Sequence, residues 1–205
     1  MKKLEHGRSM VEMLGVLAII GVLSVGAIAG YQKAMMKYKL NKQAQQLSQI
    51  FSAMEKYQHS FNVPAQNLTG LLVKLGEIPK EMIKGDNAKS IFDVFNSNMS
   101  IQKEIYKKSA VNAIYMHPDF TKKSQDNLAI CRNIVTTIKE FSNSVRQVST
   151  ISDANTENDK RVTFFGNKYC DSTNCLRDIT NNQIYELCTS HINKQRVIFY
   201  IDWID

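Results

Sequence analysis

Charge is missing from one long stretch of this sequence. No Asp, Glu, Lys, Arg or His occurs from Met13 to Gln32, a run long enough for a helix that crosses the hydrocarbon of a bilayer. Glu12 lies directly before the run, and a carboxylate in lipid is costly unless it has a partner or a function. The sequence therefore predicts an apolar membrane helix that begins with one acid. That acid is expected to have a partner or a function.

Proline and glycine are absent from the segment that follows the apolar run. Neither residue occurs from Tyr31 to Phe61. Apolar side chains recur there at helical spacing: Tyr31, Met35, Tyr38, Ala44, Leu47, Phe51, Met54, Tyr57 and Phe61. We therefore expect one continuous helix of about 50 residues that ends before Pro64. Its first half is apolar all round, and its second half is amphipathic.

Motifs for catalysis and for nucleic-acid binding are also missing. The sequence has no GxSxG, HExxH or P-loop motif. Its net charge of +7 comes from scattered residues rather than from a basic run. It has no CxxC pair, and its histidines do not fall at metal-ligand spacing. We therefore expect no enzyme activity, no cofactor, no metal site and no specific nucleic-acid partner.

Cysteine is confined to the C-terminal part of the chain. The four residues are Cys131, Cys170, Cys175 and Cys188. An even number of cysteines behind a membrane or export segment is typical of two disulfides in an oxidising compartment. Spacing alone leaves all three connectivities open.

The remaining residues predict an α+β head with an antiparallel sheet. Helices are predicted at 67–76, 79–95 and Lys122–Val148, a polar loop at 149–160, and strands at Ile101–Tyr106, Ala110–Met116, Arg161–Tyr169 and Val197–Trp203. The last strand, VIFYIDW, is strongly apolar, which is typical of a central strand.

The apolar run has two simpler interpretations. It could be a secretory signal with an apolar region from Met13 to Val25 and the small triplet Ala27-Ile28-Ala29 at the cleavage position. It could also be an ordinary membrane anchor. A signal peptide is normally followed by a break, whereas the helical pattern here continues from Tyr31 to Phe61. The alternative function is accordingly an exported or membrane-anchored binding domain.

The basic start MKKLEHG, the acid Glu12 and the apolar run together resemble a type IV prepilin over residues 2–35. The resemblance implies cleavage after Gly7, a new and methylated N-terminus at Arg8, and Glu12 as the acid at the fifth position of the processed chain. Over the head, the resemblance is one of architecture, to larger type IVb-like pilins. It implies a disulfide-bounded C-terminal region with the pairs Cys131–Cys188 and Cys170–Cys175.

The resemblance also implies a domain organisation. Residues 1–7 are the leader, 8–30 the membrane and filament-core helix, 31–61 its amphipathic continuation, and 62–205 the head, with a disulfide-bounded region 131–188. The expected shape is that of a pilin, a long helix carrying a globular head.

The function that the resemblance implies is assembly into a filament. The subunit would belong to a type IV pilus or to a type II secretion pseudopilus. Glu12 would pair with the N-terminal amine of a neighbouring copy. Small residues favour close helix packing, and the chain supplies Gly15, Gly21, Gly26 and Gly30. Implied partners are further copies of the chain, a prepilin peptidase, an assembly ATPase with its inner-membrane platform, and a secretin. The implied location is the bacterial inner membrane, then an extracellular pilus or periplasmic pseudopilus.

Overall fold

Two compact units make up the chain, Met1–Lys39 and Leu40–Asp205. A computed structural model describes residues 6–60, 66–85, 89–106, 109–118, 120, 125–152, 160–191 and 197–203. Helix α1 runs from His6 to Tyr57, and a short 3-10 turn follows at Gln58–Ser60. The prediction of one long N-terminal helix is therefore confirmed. The predicted end at Phe61 lies outside the described residues.

In the first unit, α1 is a bare apolar helix. All side chains from Met10 to Ala34 are exposed. They include apolar residues such as Val22, which is 75% exposed, and Leu23, which is 67% exposed. A soluble protein would normally bury such a surface, because each large apolar side chain left in water forgoes about 1.5–3 kcal/mol.

The second unit contains a seven-stranded sheet in which all strand pairs are antiparallel. The strands are β1 Gln66–Asn67, β2 Ile91–Phe92, β3 Asn98–Tyr106, β4 Ser109–His117, β5 Val145–Ser152, β6 Lys160–Phe165 and β7 Val197–Trp203. Their order is β1-β3-β4-β7-β5-β6, and β2 also pairs with β3. The sequence prediction of a central last strand is confirmed, because β7 lies between β4 and β5.

In the described residues of this unit there are three further helices: α2 Thr69–Lys74, α3 Gln125–Glu140 and α4 Asn181–His191. The C-terminal part of α1 supplies fully buried core residues, among them Ile50, Phe51 and Met54. The ring of Phe51 lies 5.1 Å from that of Phe141 and 5.4 Å from that of Trp203 in β7. This aromatic contact joins α1 to the middle of the sheet.

Two disulfides fasten the C-terminal region. Cys131 in α3 is bonded to Cys188 in α4, and both are fully buried. Cys170 is bonded to Cys175 and closes a short loop after β6. The first bond spans 57 residues, so it removes more freedom from the unfolded chain than the second, which spans 5.

The helix predicted at 79–95 is wrong. The structure has a 3-10 turn at Lys80–Met82 and strand β2 at Ile91–Phe92. Pro79 starts the turn, and Gly85 has a φ of 74°, which ends helical geometry. After β2, the Asp93 carboxylate accepts the backbone N–H groups of Phe95 and Ser97, at 2.9 and 2.7 Å, and this turns the chain into β3.

The predicted helix Lys122–Val148 is too long. Its described part ends at Glu140, and β5 occupies residues 145–152, where the helix end and the polar loop 149–160 were expected. Ser142, Asn143 and Ser144 have short polar side chains that favour turns. Val145 and Val148 are β-branched and buried in a strand paired with β7. Lys122 and residues 153–159 lie outside the described residues.

The predicted strand Arg161–Tyr169 is also too long, because β6 ends at Phe165. Gly166 then passes against the turn that precedes β5. A Cβ at this position would overlap the Val145 carbonyl oxygen and lie 2.8 Å from the Ser142 carbonyl oxygen. The Gly166 N–H donates to the Arg146 carbonyl at 3.0 Å. Only glycine permits this close approach, and the strand cannot continue past it.

Helix α4 was not predicted from the sequence. Its start carries a capping box, in which the Gln183 side chain accepts the Thr180 N–H at 2.8 Å and the Gln183 N–H donates to the Thr180 hydroxyl at 3.2 Å. Ile184, Leu187 and Cys188 form its buried stripe. The T-x-x-Q pattern before these apolar residues was the signal that could have revealed the helix.

Candidate functional site

The residues singled out at the N-terminus all lie on helix α1. Gly7 and Arg8 are in its first turn, because the helix begins at His6. Glu12 follows Arg8 by four residues, so the two backbone positions are one turn apart on the same face. The structure thus places the expected cleavage site and the acid within about two turns of one helix.

Glu12 stands in an apolar and exposed environment. The flanking side chains of Val11 and Met13 are 71% and 63% exposed. Among the side chains that the structure describes, none forms a hydrogen bond or salt bridge with Glu12. A charge at the centre of a bilayer costs roughly 2.5–3.5 kcal/mol on insertion scales, and less near the interface. Among the described side chains, Glu12 therefore has no charged partner.

The four glycines of the apolar segment serve no packing role within the described chain. A Cβ added at Gly15, Gly21, Gly26 or Gly30 would meet no described atom within 4 Å. Each glycine in a helix costs about 1 kcal/mol relative to alanine. Gly26 and Gly30 are four residues apart and lie on one face of α1.

Helix α1 is long and apolar enough to cross a membrane, judged by length and composition among the described residues. None of the side chains in its most apolar window is buried. A secretory signal near the N-terminus satisfies the same criterion.

A buried hydrogen-bond network fixes α1 in the second unit. The Gln43 side chain, which is fully buried, donates to the Asp93 carboxylate at 2.6 Å. It also accepts from the Asn133 amide at 2.9 Å, and that amide donates to the Leu40 carbonyl at 2.9 Å. We call Gln43, Asp93 and Asn133 the Gln43 network. It connects α1 with the turn after β2 and with α3.

Removing the acid of this network should destabilise the head. We expect Asp93→Ala to lower the free energy of unfolding by about 3 kcal/mol, because Gln43 and the N–H groups of Phe95 and Ser97 lose their acceptor. Chemical unfolding of the full chain in detergent, followed by circular dichroism, measures the loss. Asp178→Ala is the control, because its exposed pair with Arg177 contributes no more than about 1 kcal/mol. Equal effects of the two variants would contradict the network's role.

A second polar cluster lies on the other face of the sheet and was not found from the sequence. Phe199, Ile201 and Trp203 of β7 are buried in the core, so the alternating residue Asp202 points to the opposite face. Its side chain is fully buried, and the Arg146 guanidinium donates to its Oδ2 through Nε at 2.8 Å and through Nη2. Its Oδ1 has no hydrogen-bond partner in the described part of the chain.

Burial raises the pKa values of two groups in this cluster. Burial raises the pKa of Asp202 above its usual value, although Arg146 opposes the rise. Nearby, the Tyr115 hydroxyl donates to both Glu104 carboxylate oxygens, at 2.7 and 2.8 Å. Burial and Glu104 together raise the pKa of Tyr115. An acid inside the apolar strand VIFYIDW was the sequence signal for this cluster.

Comparison with known proteins gives a match to a pilin. A segment of 145 residues is 29% identical to the toxin coregulated pilin of Vibrio cholerae. The chain is similar to a pilin. The match covers 67% of this chain and 59% of that pilin, so the chain spans less than two thirds of its relative's length. No protein-family model and no solved structure matches the chain.

Proposed function

We propose that the chain is a structural subunit of a pilus-type filament and not an enzyme. The observation that carries this proposal is the continuity of α1. One helix begins as a bare apolar segment and ends as a buried core element of the α+β head. The similarity to the toxin coregulated pilin points in the same direction. The filament is either a type IV pilus or the related type II secretion pseudopilus.

Glu12 has a specific role in this proposal. Cleavage after Gly7 would give Arg8 a free α-amino group, which is largely positive at neutral pH. In a bundle of α1 helices, the Glu12 carboxylate of one subunit pairs with that amine in the next. The pairing neutralises a carboxylate that is costly in lipid and fixes the axial offset between neighbours, as a buried polar residue sets the register of a coiled coil. Methylation of the Arg8 amine would keep its charge.

The glycines of α1 fit the same bundle. Because Gly15, Gly21, Gly26 and Gly30 have open space beside them in the single chain, they let the backbones of neighbouring helices approach closely. In this proposal the subunit waits in the inner membrane with its head outside. A prepilin peptidase processes it, an assembly ATPase and a membrane platform move it into the filament, and a secretin passes the filament through the outer membrane.

The first test is the N-terminus of the processed protein. We expect expression with a prepilin peptidase to give a product that starts at Arg8, with or without one added methyl group. Without the peptidase, the chain should remain uncut. Intact mass and N-terminal sequencing of both cultures measure this. Gly7→Leu provides an uncleavable comparison that leaves the apolar segment unchanged.

Two results would overturn the proposal. A product starting at Gly30 in both cultures would identify Ala27-Ile28-Ala29 as a signal cleavage site. A full-length chain in both cultures would identify an ordinary anchor. Either result would favour an exported or membrane-anchored binding domain.

A further inference from the structure

A set of exposed lysines follows the apolar part of α1. Lys33, Lys37 and Lys39 are exposed and occur just after the uncharged run that ends at Gln32. The chain has no acid between Glu12 and Glu55, so no acid close in sequence balances these charges. Lys42 differs from them, because it forms a salt bridge of 2.6 Å with Glu81. Among the described residues, the three preceding lysines make no such bridge.

Two exposed tyrosines complete the segment. Tyr31 is 66% exposed and Tyr38 is 60% exposed. Tyrosine is enriched where a membrane helix leaves the hydrocarbon, since its ring is apolar and its hydroxyl is wet. We call Tyr31, Lys33, Lys37, Tyr38 and Lys39 the lysine collar.

The collar surrounds the helix instead of forming one face. At about 100° per residue, Lys33 and Lys37 lie on one side of the helix, and the two tyrosines lie about 130° further around it. Lys39 lies between the two pairs. A single protein partner would contact one face of α1, whereas a bilayer leaflet surrounds a helix completely. The three lysines also extend over about 9 Å of helix axis, comparable to the headgroup layer of a leaflet.

We propose that the lysine collar binds the anionic phospholipid headgroups of the leaflet that faces the head, before the subunit is assembled. This inference rests on the membrane stage of the proposed function. The long lysine stems lie along the apolar boundary and place their ammonium groups among the phosphates. The anionic headgroups neutralise charge that the described part of the chain leaves unbalanced. The collar therefore fixes the depth of α1 in the bilayer.

Lipid selectivity tests this proposal directly. The full chain is reconstituted into phosphatidylcholine vesicles that contain trace spin-labelled phosphatidylglycerol or spin-labelled phosphatidylcholine. Electron paramagnetic resonance gives the association of each lipid with the protein. We expect the wild-type chain to associate with phosphatidylglycerol about fivefold more strongly than with phosphatidylcholine. This factor corresponds to the contribution of one lysine near an anionic surface. The triple variant K33Q/K37Q/K39Q should show almost no preference, and molar salt should reduce the preference of wild type.

A matched variant controls for total charge. K74Q/K80Q/K89Q removes three exposed lysines of the head and lowers the net charge equally. It should keep the wild-type preference. The collar proposal would be overturned if both variants lost the preference for phosphatidylglycerol equally. It would also be overturned if the K33Q/K37Q/K39Q variant kept that preference. If the preference survives in the collar variant, the partner of the collar lysines would instead be an acidic surface of another copy of the chain.

Insertion is measured separately by alkaline extraction of the vesicles. If the wild-type chain does not insert, the membrane stage of the proposed function fails, and the collar fails with it. If it inserts but shows no preference for phosphatidylglycerol, only the collar proposal fails.

Discussion

Replacing Glu12 with glutamine should reduce incorporation into filaments by about a hundredfold. Glutamine has nearly the same shape as glutamate but no charge, so it cannot form an ion pair with the N-terminal amine of a neighbour. The amine would then be left unpaired in an apolar bundle. The hundredfold reduction corresponds to a loss of about 3 kcal/mol in the free energy with which each added subunit binds the filament. The measurement is an immunoblot of sheared filaments against the cell-associated subunit, in cells that contain the assembly machinery.

The control for this prediction lies on the same helix. Glu55→Gln removes one negative charge from the part of α1 in the second unit, where Glu55 is exposed and accepts a hydrogen bond from Ser144. It should assemble nearly as well as wild type. Glu12→Asp keeps the charge on a shorter side chain and should assemble better than Glu12→Gln. If Glu12→Gln assembles like wild type, the pairing between Glu12 and the amine is wrong.

Replacing Arg146 with methionine should cost about 4 kcal/mol of unfolding free energy at pH 7. Arg146 supplies the positive charge beside the fully buried Asp202. Methionine keeps much of the side-chain volume but removes that charge. Breaking a buried ion pair by removing one partner typically costs about 3–5 kcal/mol, because the other charge is left uncompensated.

The loss should shrink as the pH falls. Burial already raises the pKa of Asp202 in wild type, with Glu104 adding to the rise, and removing Arg146 raises the pKa further. An acid whose pKa is higher in the folded state stabilises that state fully below its unfolded pKa, near 3.9, and this stability is lost as the pH rises through the folded pKa. Between these values, the variant should recover up to about 1.4 kcal/mol per pH unit on acidification. Unfolding at pH 7 and pH 5 measures this.

Two further variants separate charge from packing. Arg177→Met removes an arginine from an exposed pair with Asp178 and should cost less than about 1 kcal/mol at either pH. Asp202→Asn in the Arg146→Met background removes the stranded charge and should restore most of the lost stability. If Arg146→Met has the same effect at pH 7 and pH 5, Asp202 does not carry the uncompensated charge.

Local rules in the sequence were sufficient to predict the long helix and the central strand. Missing proline and glycine, together with helical spacing, predicted the continuity of α1 through Tyr57. The apolar run at Val197–Trp203 predicted a strand with neighbours on both sides. The boundary between α3 and β5 was not predictable in this way. Val145 suits either a helical stripe or a strand, and its pairing with Trp203 decides between them.

The residues of the candidate site also differ in whether the sequence alone reveals them. Glu12 is visible in the sequence because it interrupts an uncharged environment. The Gln43 network is not visible, because Gln43 and Asp93 are 50 residues apart and their hydrogen bond exists only in the folded head. Asp202 and Arg146 are likewise 56 residues apart. Polar residues in such networks look like ordinary surface residues until the fold brings them together.

The position of β7 has a consequence for biogenesis. This strand joins β4 to β5, so the sheet remains two separate pieces until Val197–Trp203 is in place. Until then, the facing edges of β4 and β5 have unpaired backbone groups, which are templates for aggregation with another chain. The sheet of the head is therefore completed only after Val197–Trp203 has been synthesised and has paired with both neighbours. A chain that lacks β7 or folds it slowly is therefore the form of this head most prone to pair with other chains through β4 and β5.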